Sequence, residues 1–379
     1  MAYAPNLSKK SGGQIYLKKE NLQLTGSFKL RGAFNKIASL SQEERAKGVV
    51  AASAGNHAQG VAFSSKHFGC EATIVMPEAT PLTKVSGVKS FGANVVLHGA
   101  NYDEAYQYAI DFANERSATF VHPFEDDVVI QGQGTISLEI LEELDNVDMM
   151  IVPIGGGGLV TGVATAAKAI NPDIKIIGVV ASGAKSMKDS FYQKTAIDSI
   201  SVKTIADGIA VRDTSQKMLN HVIDLVDEII EVEDREIASA ILFLLEQHKL
   251  VVEGAGAVGT AAIMHNKIDV KGKTVVLPLS GGNIDVTMLA QIIEKGLVKS
   301  ARKMNLIVTL VDKPGSLKNL TYIFEKVSAN IVQIDYDRNS VSLDFGDANV
   351  TISLETKGVE HQDEIRTLLK ENGYRFNEL

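Results

Sequence analysis

The sequence predicts an α/β protein with a second, smaller module at its C-terminal end. Short apolar runs alternate with longer segments of helical apolar spacing through about residue 299. Four of the junctions between a run and a helix are rich in Gly, Ser or Asn, and after Lys299 the alternation changes to a βαββαβ order. Ligands of α/β sheets bind where strand ends meet helix starts, so these four junctions are the candidate site.

Most of the apolar runs are apolar at every position, as expected for strands buried on both faces of a parallel sheet. The predicted strands are 14–17, 49–52, 72–76, 94–97, 149–153, 175–180 and 274–278. The segments between them have the length and 3.6-residue spacing of helices. The clearest of these are 102–116, 134–144, 159–170, 233–249 and 285–299.

The C-terminal segment begins after a basic connector at 299–303. It contains strands at 305–311, 330–335 and 341–354 and a short one around Tyr374, with helices at 316–327 and 359–371. This order describes a complete ferredoxin-like module. We expect it to form a separate domain over residues 304–379.

Composition excludes several classes of function. The formal net charge is −8, there is no tryptophan, and no basic run is present, so nucleic-acid binding is disfavoured. The only cysteine, Cys70, cannot form an intramolecular disulfide, and no apolar segment reaches the ~20 residues of a membrane span. A cytoplasmic protein without a membrane partner is therefore expected.

The clearest junction is a run of four glycines followed by leucine, Gly155 to Leu159, between a strand and a helix. Glycine lets backbone N–H groups approach a ligand closely, and the helix start adds partial positive charge. A phosphate group fits this pattern, although this junction has neither Walker nor GxGxxG spacing. A flexible turn is the alternative.

A second junction places Lys29 in the first turn of a predicted helix. The helix dipole there lowers the pKa of an amine, so Lys29 is a candidate for an imine bond. A solvated surface lysine is the alternative, as for Lys36 nearby. The other two junctions are 53–60 and 279–283, where Ser53, Asn56 or Ser280 could instead be simple helix caps.

No metal site is predicted, because the histidines are scattered and the chain lacks HExxH and thiolate clusters. A GxSxG nucleophile elbow is absent as well.

Taken together, GSFKLRGA at 26–33, SAGNHAQG at 53–60, GGGGL at 155–159 and SGGN at 280–283 resemble the threonine and serine dehydratase family of fold-type II pyridoxal-phosphate enzymes. The resemblance implies two open parallel-sheet subdomains in a catalytic domain of residues 1–299, with the small one inserted at about 24–123. The tail, with VDKPGSL at 311–317 and SANI at 328–331, resembles the amino-acid-sensing ACT domain. The two parts together resemble the shorter threonine dehydratases (threonine ammonia-lyases).

The resemblance implies pyridoxal 5′-phosphate as the cofactor and Lys29 as the lysine bonded to it as an imine. Phe28 would pack against the cofactor ring, Asn56 would hydrogen-bond the ring hydroxyl, and Ser280 would face the pyridine nitrogen. The phosphate would be held by Gly155, Gly156, Gly157, Gly158 and Leu159, and Gly208 would line the site. The substrate carboxylate would be bound by Ser53, Ala54, Gly55, Asn56 and His57.

The implied activity is β-elimination of L-threonine to 2-oxobutanoate and ammonia, with L-serine giving pyruvate. Lys29 would remove the Cα proton, and a neutral hydroxyl at Ser280 would favour elimination over transamination. Ala54 stands where serine racemases of a related branch carry a second serine, so racemisation should be poor. The stretch 180–185 lacks a glutamate that many relatives use near a cation.

Two other functions stay open. A serine-preferring dehydratase differs only in the pocket for one methyl group, which is worth only ~1–3 kcal/mol. A catalytically silent amino-acid sensor is the other. An effector is expected near Asp312, Pro314 and Gly315, and it could be isoleucine, valine, another amino acid or none. The module could equally be a contact within a homodimer or homotetramer, and biosynthetic and catabolic uses are both open.

Overall fold

The computed structural model describes residues 1–341 and 343–379, which form two compact units, Met1–Asp285 and Val286–Leu379. The helix immediately before residue 300 thus groups with the second unit. The division of function between residues 1–299 and 304–379 stays a prediction.

The first unit alternates strands and helices along the chain. Its strands are β1 (Ala2–Tyr3), β2 (Gln14–Lys18), β3 (Val49–Ala52), β4 (Ala72–Met76), β5 (Asn94–Leu97), β6 (Thr119–Phe120), β7 (Met149–Pro153), β8 (Lys175–Ala181), β9 (Glu228–Val232) and β10 (Thr274–Pro278). Its helices are α1 (Pro5–Ser11), α2 (Lys29–Ser39), α3 (Gln42–Lys47), α4 (Asn56–His67), α5 (Leu82–Ser90), α6 (Tyr102–Arg116), α7 (Asp127–Glu143), α8 (Gly158–Ile170), α9 (Ser186–Gln193), α10 (Gln216–Leu225), α11 (Asp234–Phe243) and α12 (Gly254–Met264).

Two sheets organise this unit. The larger one has the strand order β1-β2-β10-β7-β8-β9 and is parallel except for β1. The smaller one, β5-β4-β3-β6, is wholly parallel and comes from residues that lie between β2 and β7 in the chain. All residues of β3, β4 and β7 are buried, so the α/β class and the doubly covered strands are confirmed.

The second unit contains α13 (Val286–Lys299), β11 (Lys303–Val311), α14 (Ser316–Lys326), β12 (Asn330–Asp337), β13 (Asp347–Glu355), α15 (Val359–Glu371) and β14 (Arg375–Glu378). From β11 onwards this is the predicted βαββαβ order, in an antiparallel sheet β12-β13-β11-β14. One face of this sheet is buried under α14 and α15, with Val308, Phe324 and Ile352 at its core.

Three predicted bounds are wrong by six or seven residues. The helix predicted at 134–144 begins at Asp127, because the Asp126 carboxylate accepts hydrogen bonds from the first turn. The helix predicted to 249 leaves α geometry at Leu244 and continues as a π turn to His248. The strand predicted from 341 begins at Asp347, where its pairing with β11 starts opposite Val311. Within that predicted strand, Ser342 lies outside the described residues.

Candidate functional site

The junctions at 26–33 and 279–283 are joined by their backbones. Strands β2 and β10 are parallel neighbours, so the segments that follow them leave the same edge of the sheet. Ser27 and Gly281 form an antiparallel bridge, and the Phe28 N–H donates to the Ser280 carbonyl at 2.9 Å. Ser280 is 2% exposed. This pairing places Ser280 directly beside the residue that precedes Lys29.

Lys29 is the first residue of α2, in the predicted first turn; its side chain is partly exposed, but its amine is desolvated by the surrounding protein. Its Nζ donates to the Pro123 carbonyl at 2.6 Å and lies 5.3 Å from the centre of the Phe28 ring. Burial lowers the pKa of Lys29 to about 8, against the opposing effect of the Glu253 carboxylate. Desolvation is therefore the main cause of the low pKa of this amine, and Lys29 is not a surface lysine.

The four-glycine segment connects β7 to α8 and lies beside the same chain segment as Lys29. A Cβ on Gly156 would lie 2.5 Å from the Phe124 ring, and one on Gly158 would lie 2.7 Å from the Phe124 carbonyl. Phe124 follows Pro123, which binds the Lys29 amine. Gly157 has a φ of +93°, in the left-handed region that favours glycine.

The N–H groups of Gly155, Gly156 and Gly157 donate no hydrogen bond to any other residue in the described part of the chain. Such unpaired donors at a helix start are the usual partners of a phosphate group. The residues present thus fit the phosphate of the predicted cofactor.

Asn56 is the first residue of α4, and its side chain bonds residues outside that helix. Gly55 occupies the N-cap position without a side-chain cap, so neither Ser53 nor Asn56 acts as the cap. The Asn56 Nδ2 donates to both carboxylate oxygens of Glu253, at 2.9 and 3.0 Å. Its Oδ1 accepts from the Nδ2 of Asn283 at 2.6 Å. The junction at 53–60 is therefore connected to the junction at 279–283 through side chains.

Glu253 is a site residue that the sequence analysis missed. It precedes α12, is 4% exposed, and its N–H donates to the Gly281 carbonyl at 3.0 Å. Burial and the nearby Asp207 raise the pKa of Glu253 to about 7, although Asn56, the Asn283 N–H and Lys29 oppose that shift. The available signal was an isolated acid between the apolar Val251-Val252 pair and a helix that is apolar on every face.

Two predicted glycines pack against this carboxylate and its neighbours. A Cβ on Gly208 would lie 3.2 Å from the Glu253 Oε1. A Cβ on Gly155 would lie 3.0 Å from the Cα of Ile209. The adjacent residues Gly208 and Ile209 therefore lie next to Glu253 and to Gly155 respectively, and the role of Gly208 in lining the site stays a prediction.

The segment from Ser53 to His57 begins at the carboxyl end of β3. The Ser53 Oγ accepts from the Gly55 N–H at 3.2 Å, and a Cβ on Gly55 would meet no atom within 4 Å. The backbone at Gly55 thus borders open space, which leaves room for a small ligand, while the adjacent Ala54 is partly buried against the core.

His57 is buried and neutral. Its Nε2 lies 2.8 Å from the Val121 carbonyl and must carry the proton, while its Nδ1 has no hydrogen-bond partner. Burial and the positive charge of Lys29 lower the pKa of His57 to about 3. Burial likewise lowers the pKa of His122 to about 4. Neither imidazole adds positive charge beside Lys29 near neutral pH.

The predicted effector residues lie in the loop between β11 and α14. The Tyr336 hydroxyl donates to Asp312 Oδ1 at 2.9 Å, and the Arg338 guanidinium lies 3.6 Å from Oδ2. Gly315, after Pro314, has a φ of +91° and precedes the helix as its N-cap. The loop therefore holds a carboxylate next to an open helix start.

Among the described residues, no three His, Cys, Asp or Glu side chains come together as metal ligands. In the same part of the chain, every helix is too short or too polar to cross a bilayer.

Comparison with known proteins gives concordant matches. The family described as "Pyridoxal-phosphate dependent enzyme" matches residues 1–281. The L-threonine ammonia-lyase of Thermotoga maritima is 50% identical over 374 residues, 99% of this chain and 93% of that protein. The protein of the same name from Geobacter sulfurreducens is 48% identical over 375 residues, 99% and 93% of the two chains. The processed form of threonine deaminase isoform 2 from Solanum lycopersicum superposes with a TM-score of 0.74 at 40% identity, covering 77% of this chain and 85% of that one.

Proposed function

This chain belongs to the family of pyridoxal-phosphate-dependent enzymes, and we propose that it is an L-threonine ammonia-lyase. It converts L-threonine to 2-oxobutanoate and ammonia, and L-serine to pyruvate and ammonia. The observation that carries the proposal is the buried Lys29 amine, beside a glycine segment with unpaired N–H groups, in a chain about half identical to two L-threonine ammonia-lyases.

The cofactor is pyridoxal 5′-phosphate. When bound, it supplies an aldehyde for exchange between amines and a ring that withdraws electrons from the substrate Cα. Its phosphate would be held by the N–H groups of Gly155 to Leu159, where the helix start adds favourable charge. Lys29 would bond the aldehyde, with Phe28, Asn56, Gly208 and Ser280 around the ring.

Lys29 is the general base of the proposed reaction. Its Nζ would accept the Cα proton of threonine. A pKa near 8 suits that task, because a useful fraction of such an amine is unprotonated near neutral pH while it remains a strong base. The Pro123 carbonyl, 2.6 Å from Nζ, orients the amine.

The segment from Ser53 to His57 binds the substrate carboxylate. Its backbone borders open space at Gly55, and it begins the helix α4, whose first N–H groups attract an anion. Ala54 offers no proton donor, so elimination is favoured over racemisation. Racemisation would need a second group to return a proton to Cα.

The second unit is an ACT-type domain that senses an amino acid. Its βαββαβ order and the Asp312–Gly315 loop support this assignment. The paired units of a homodimer or homotetramer would form the effector site between them, with isoleucine and valine as the first ligands to test. The protein would act in a reducing cytoplasm, where its single buried thiol, Cys70, stays free.

The proposal is tested on the purified full chain by its visible absorbance and by detection of keto acids. A yellow protein that forms 2-oxobutanoate on addition of L-threonine supports it. A colourless protein that stays inactive after addition of pyridoxal 5′-phosphate contradicts it. A higher kcat/KM for L-serine than for L-threonine would identify a serine-preferring dehydratase instead.

A further inference from the structure

The side-chain amide of Asn56 is held by two neighbours of opposite hydrogen-bonding character. Asn283 Nδ2 donates to Asn56 Oδ1 at 2.6 Å, while Asn56 Nδ2 donates to Glu253 at 2.9 and 3.0 Å. An ionised carboxylate can only accept hydrogen bonds, and an amide nitrogen can only donate them. Because Asn283 Nδ2 can only donate, the end of the Asn56 amide that faces it is the oxygen, and the ionised Glu253 carboxylate reinforces this orientation at the other end.

Both neighbours are themselves held in place. Asn283 Nδ2 also donates to the Thr25 carbonyl at 2.9 Å, which orients its own amide. The Glu253 backbone N–H is bonded to Gly281, and the Glu253 carboxylate is buried and accepts from the Asn283 backbone. Rotation of the Asn56 amide by a half-turn would set two nitrogens against each other and an oxygen against a carboxylate. That arrangement would lose both hydrogen bonds and would turn an oxygen towards the buried Glu253 carboxylate, so it is disfavoured.

We propose that Glu253 is a positioning residue that turns the Nδ2 hydrogens of Asn56, rather than its Oδ1, towards the ring oxygen of the cofactor. This inference rests on the proposed function, in which Asn56 is the partner of that oxygen. Of the two hydrogens on Nδ2, Glu253 takes one and the other remains available. A donor at this position stabilises the ring oxygen in its ionised form, whereas an acceptor would oppose ionisation.

The test is a binding cycle on the full-length apoprotein, with pyridoxal 5′-phosphate and its analogue lacking the ring hydroxyl as the two probes. The dissociation constant of the analogue divided by that of pyridoxal 5′-phosphate measures the contribution of the ring oxygen. Comparing this ratio between proteins cancels effects common to both probes. Glu253→Gln should reduce the wild-type ratio by roughly fivefold or more, because a glutamine amide can donate as well as accept and no longer fixes Asn56.

Glu236→Gln is the matched control. Glu236 is also a buried glutamate, 8% exposed, but it pairs with Lys267 and does not contact Asn56. It should keep the wild-type ratio. Asn283→Ala removes the second contact without a change of charge and should also reduce the ratio, which covers the case in which Glu253→Gln does not fold.

The outcomes separate this inference from the proposed function. Asn56→Ala removes the contact to the ring oxygen, so its ratio should fall below the wild-type ratio. A wild-type ratio in both Glu253→Gln and Asn283→Ala, together with a reduced ratio in Asn56→Ala, overturns the positioning role and leaves the Asn56 assignment intact. A wild-type ratio in Asn56→Ala overturns both, and failure of the wild-type chain to bind pyridoxal 5′-phosphate refutes the proposed function itself.

Discussion

The guanidinium group of Arg31 forms a two-pronged ion pair with the Glu139 carboxylate, with Nη1–Oε1 at 2.6 Å and Nη2–Oε2 at 2.8 Å. The same guanidinium binds Glu20 through Nε and Nη2, at 2.7 and 2.9 Å. Lys18 also pairs with Glu139. Arg31 lies two residues after Lys29 on α2, so this network ties the start of that helix to β2 and α7.

The first prediction is that Arg31→Ala lowers the free energy of unfolding of the apoprotein by about 3–5 kcal/mol, because the buried Glu20 carboxylate loses its charged partner and keeps only the hydrogen bond from Gln23 Nε2. Denaturant unfolding measures this change. Arg212→Ala is the control, since Arg212 pairs with Asp103 and Asp213 at an exposed site and should cost only ~0–1 kcal/mol. Equal losses in both variants would contradict a special role for the Arg31 network.

The second prediction is that Lys29→Ala abolishes formation of 2-oxobutanoate and also removes the visible absorbance of the lysine-bonded cofactor. Alanine supplies no amine to bond the cofactor or to accept the Cα proton. Lys36→Ala, a change on the same helix at a residue paired with Asp126, should keep both properties. Normal threonine deamination by Lys29→Ala would refute the assignment.

Much of the fold could be predicted from the sequence because a strand buried on both faces is apolar at every position. The bounds of β3, β4, β7 and β10 are those predicted from this pattern, although β4 contains Thr73 and β10 begins at Thr274. Strands β6 and β9 were missed, because β6 has only two residues and β9 carries Glu228 and Glu231. Neither gives a continuous apolar signal.

The site was only partly predictable. Motifs at strand ends identified Lys29 and the glycine segment, since glycine and a helix start have local signatures. Glu253 has no such signature, and its importance comes from contacts with Asn56 and Gly281, which are distant in sequence. The Pro123 carbonyl, which binds Lys29, could not be found either, because a backbone acceptor is available at every position.

The third prediction concerns the pH dependence of apoprotein stability. Burial raises the pKa of Glu253 from its ordinary 4.5 to about 7, so the folded state binds more protons than the unfolded state between these values. The wild-type protein should therefore lose stability relative to Glu253→Gln as the pH rises from 4.5 to 7, by on the order of 3 kcal/mol. Unfolding free energies measured across this range, with Glu236→Gln as control, test it. A pH-independent difference would mean that Glu253 titrates normally.

The fourth prediction is that Ser280→Asp slows elimination and produces a new long-wavelength absorbance band during turnover. A carboxylate in place of the buried hydroxyl would raise the proton affinity of a ring nitrogen facing it and stabilise negative charge at Cα. Ser280→Ala, which adds no charge, should lack the band. Stopped-flow absorbance distinguishes the two variants, and unchanged elimination kinetics in Ser280→Asp would mean that Ser280 does not face the ring.

The fifth prediction is that isoleucine or valine shifts the threonine kinetics of the full chain and that the response requires Asp312. A negative carboxylate there would attract the ammonium group of an amino acid, next to the open start of α14 at Gly315. Asp312→Asn keeps an acceptor for the Tyr336 hydroxyl but loses the charge, so it should weaken effector binding by about tenfold and leave basal turnover unchanged.

A point variant is the better test of this regulation than removal of the C-terminal segment. Helix α13 packs with β11 in the second unit, so a chain ending at Ser300 would keep the helix and expose the face that β11 covers.

Asp363→Asn, which alters an exposed ion pair with Arg366 on α15, is the control and should respond to effector like the wild type. Isothermal calorimetry measures effector binding, and initial rates measure the effect of the effector on threonine turnover. If the full chain binds none of the amino acids and its rates ignore them, the second unit only joins subunits, because a sensing domain must bind its effector before it can shift any equilibrium.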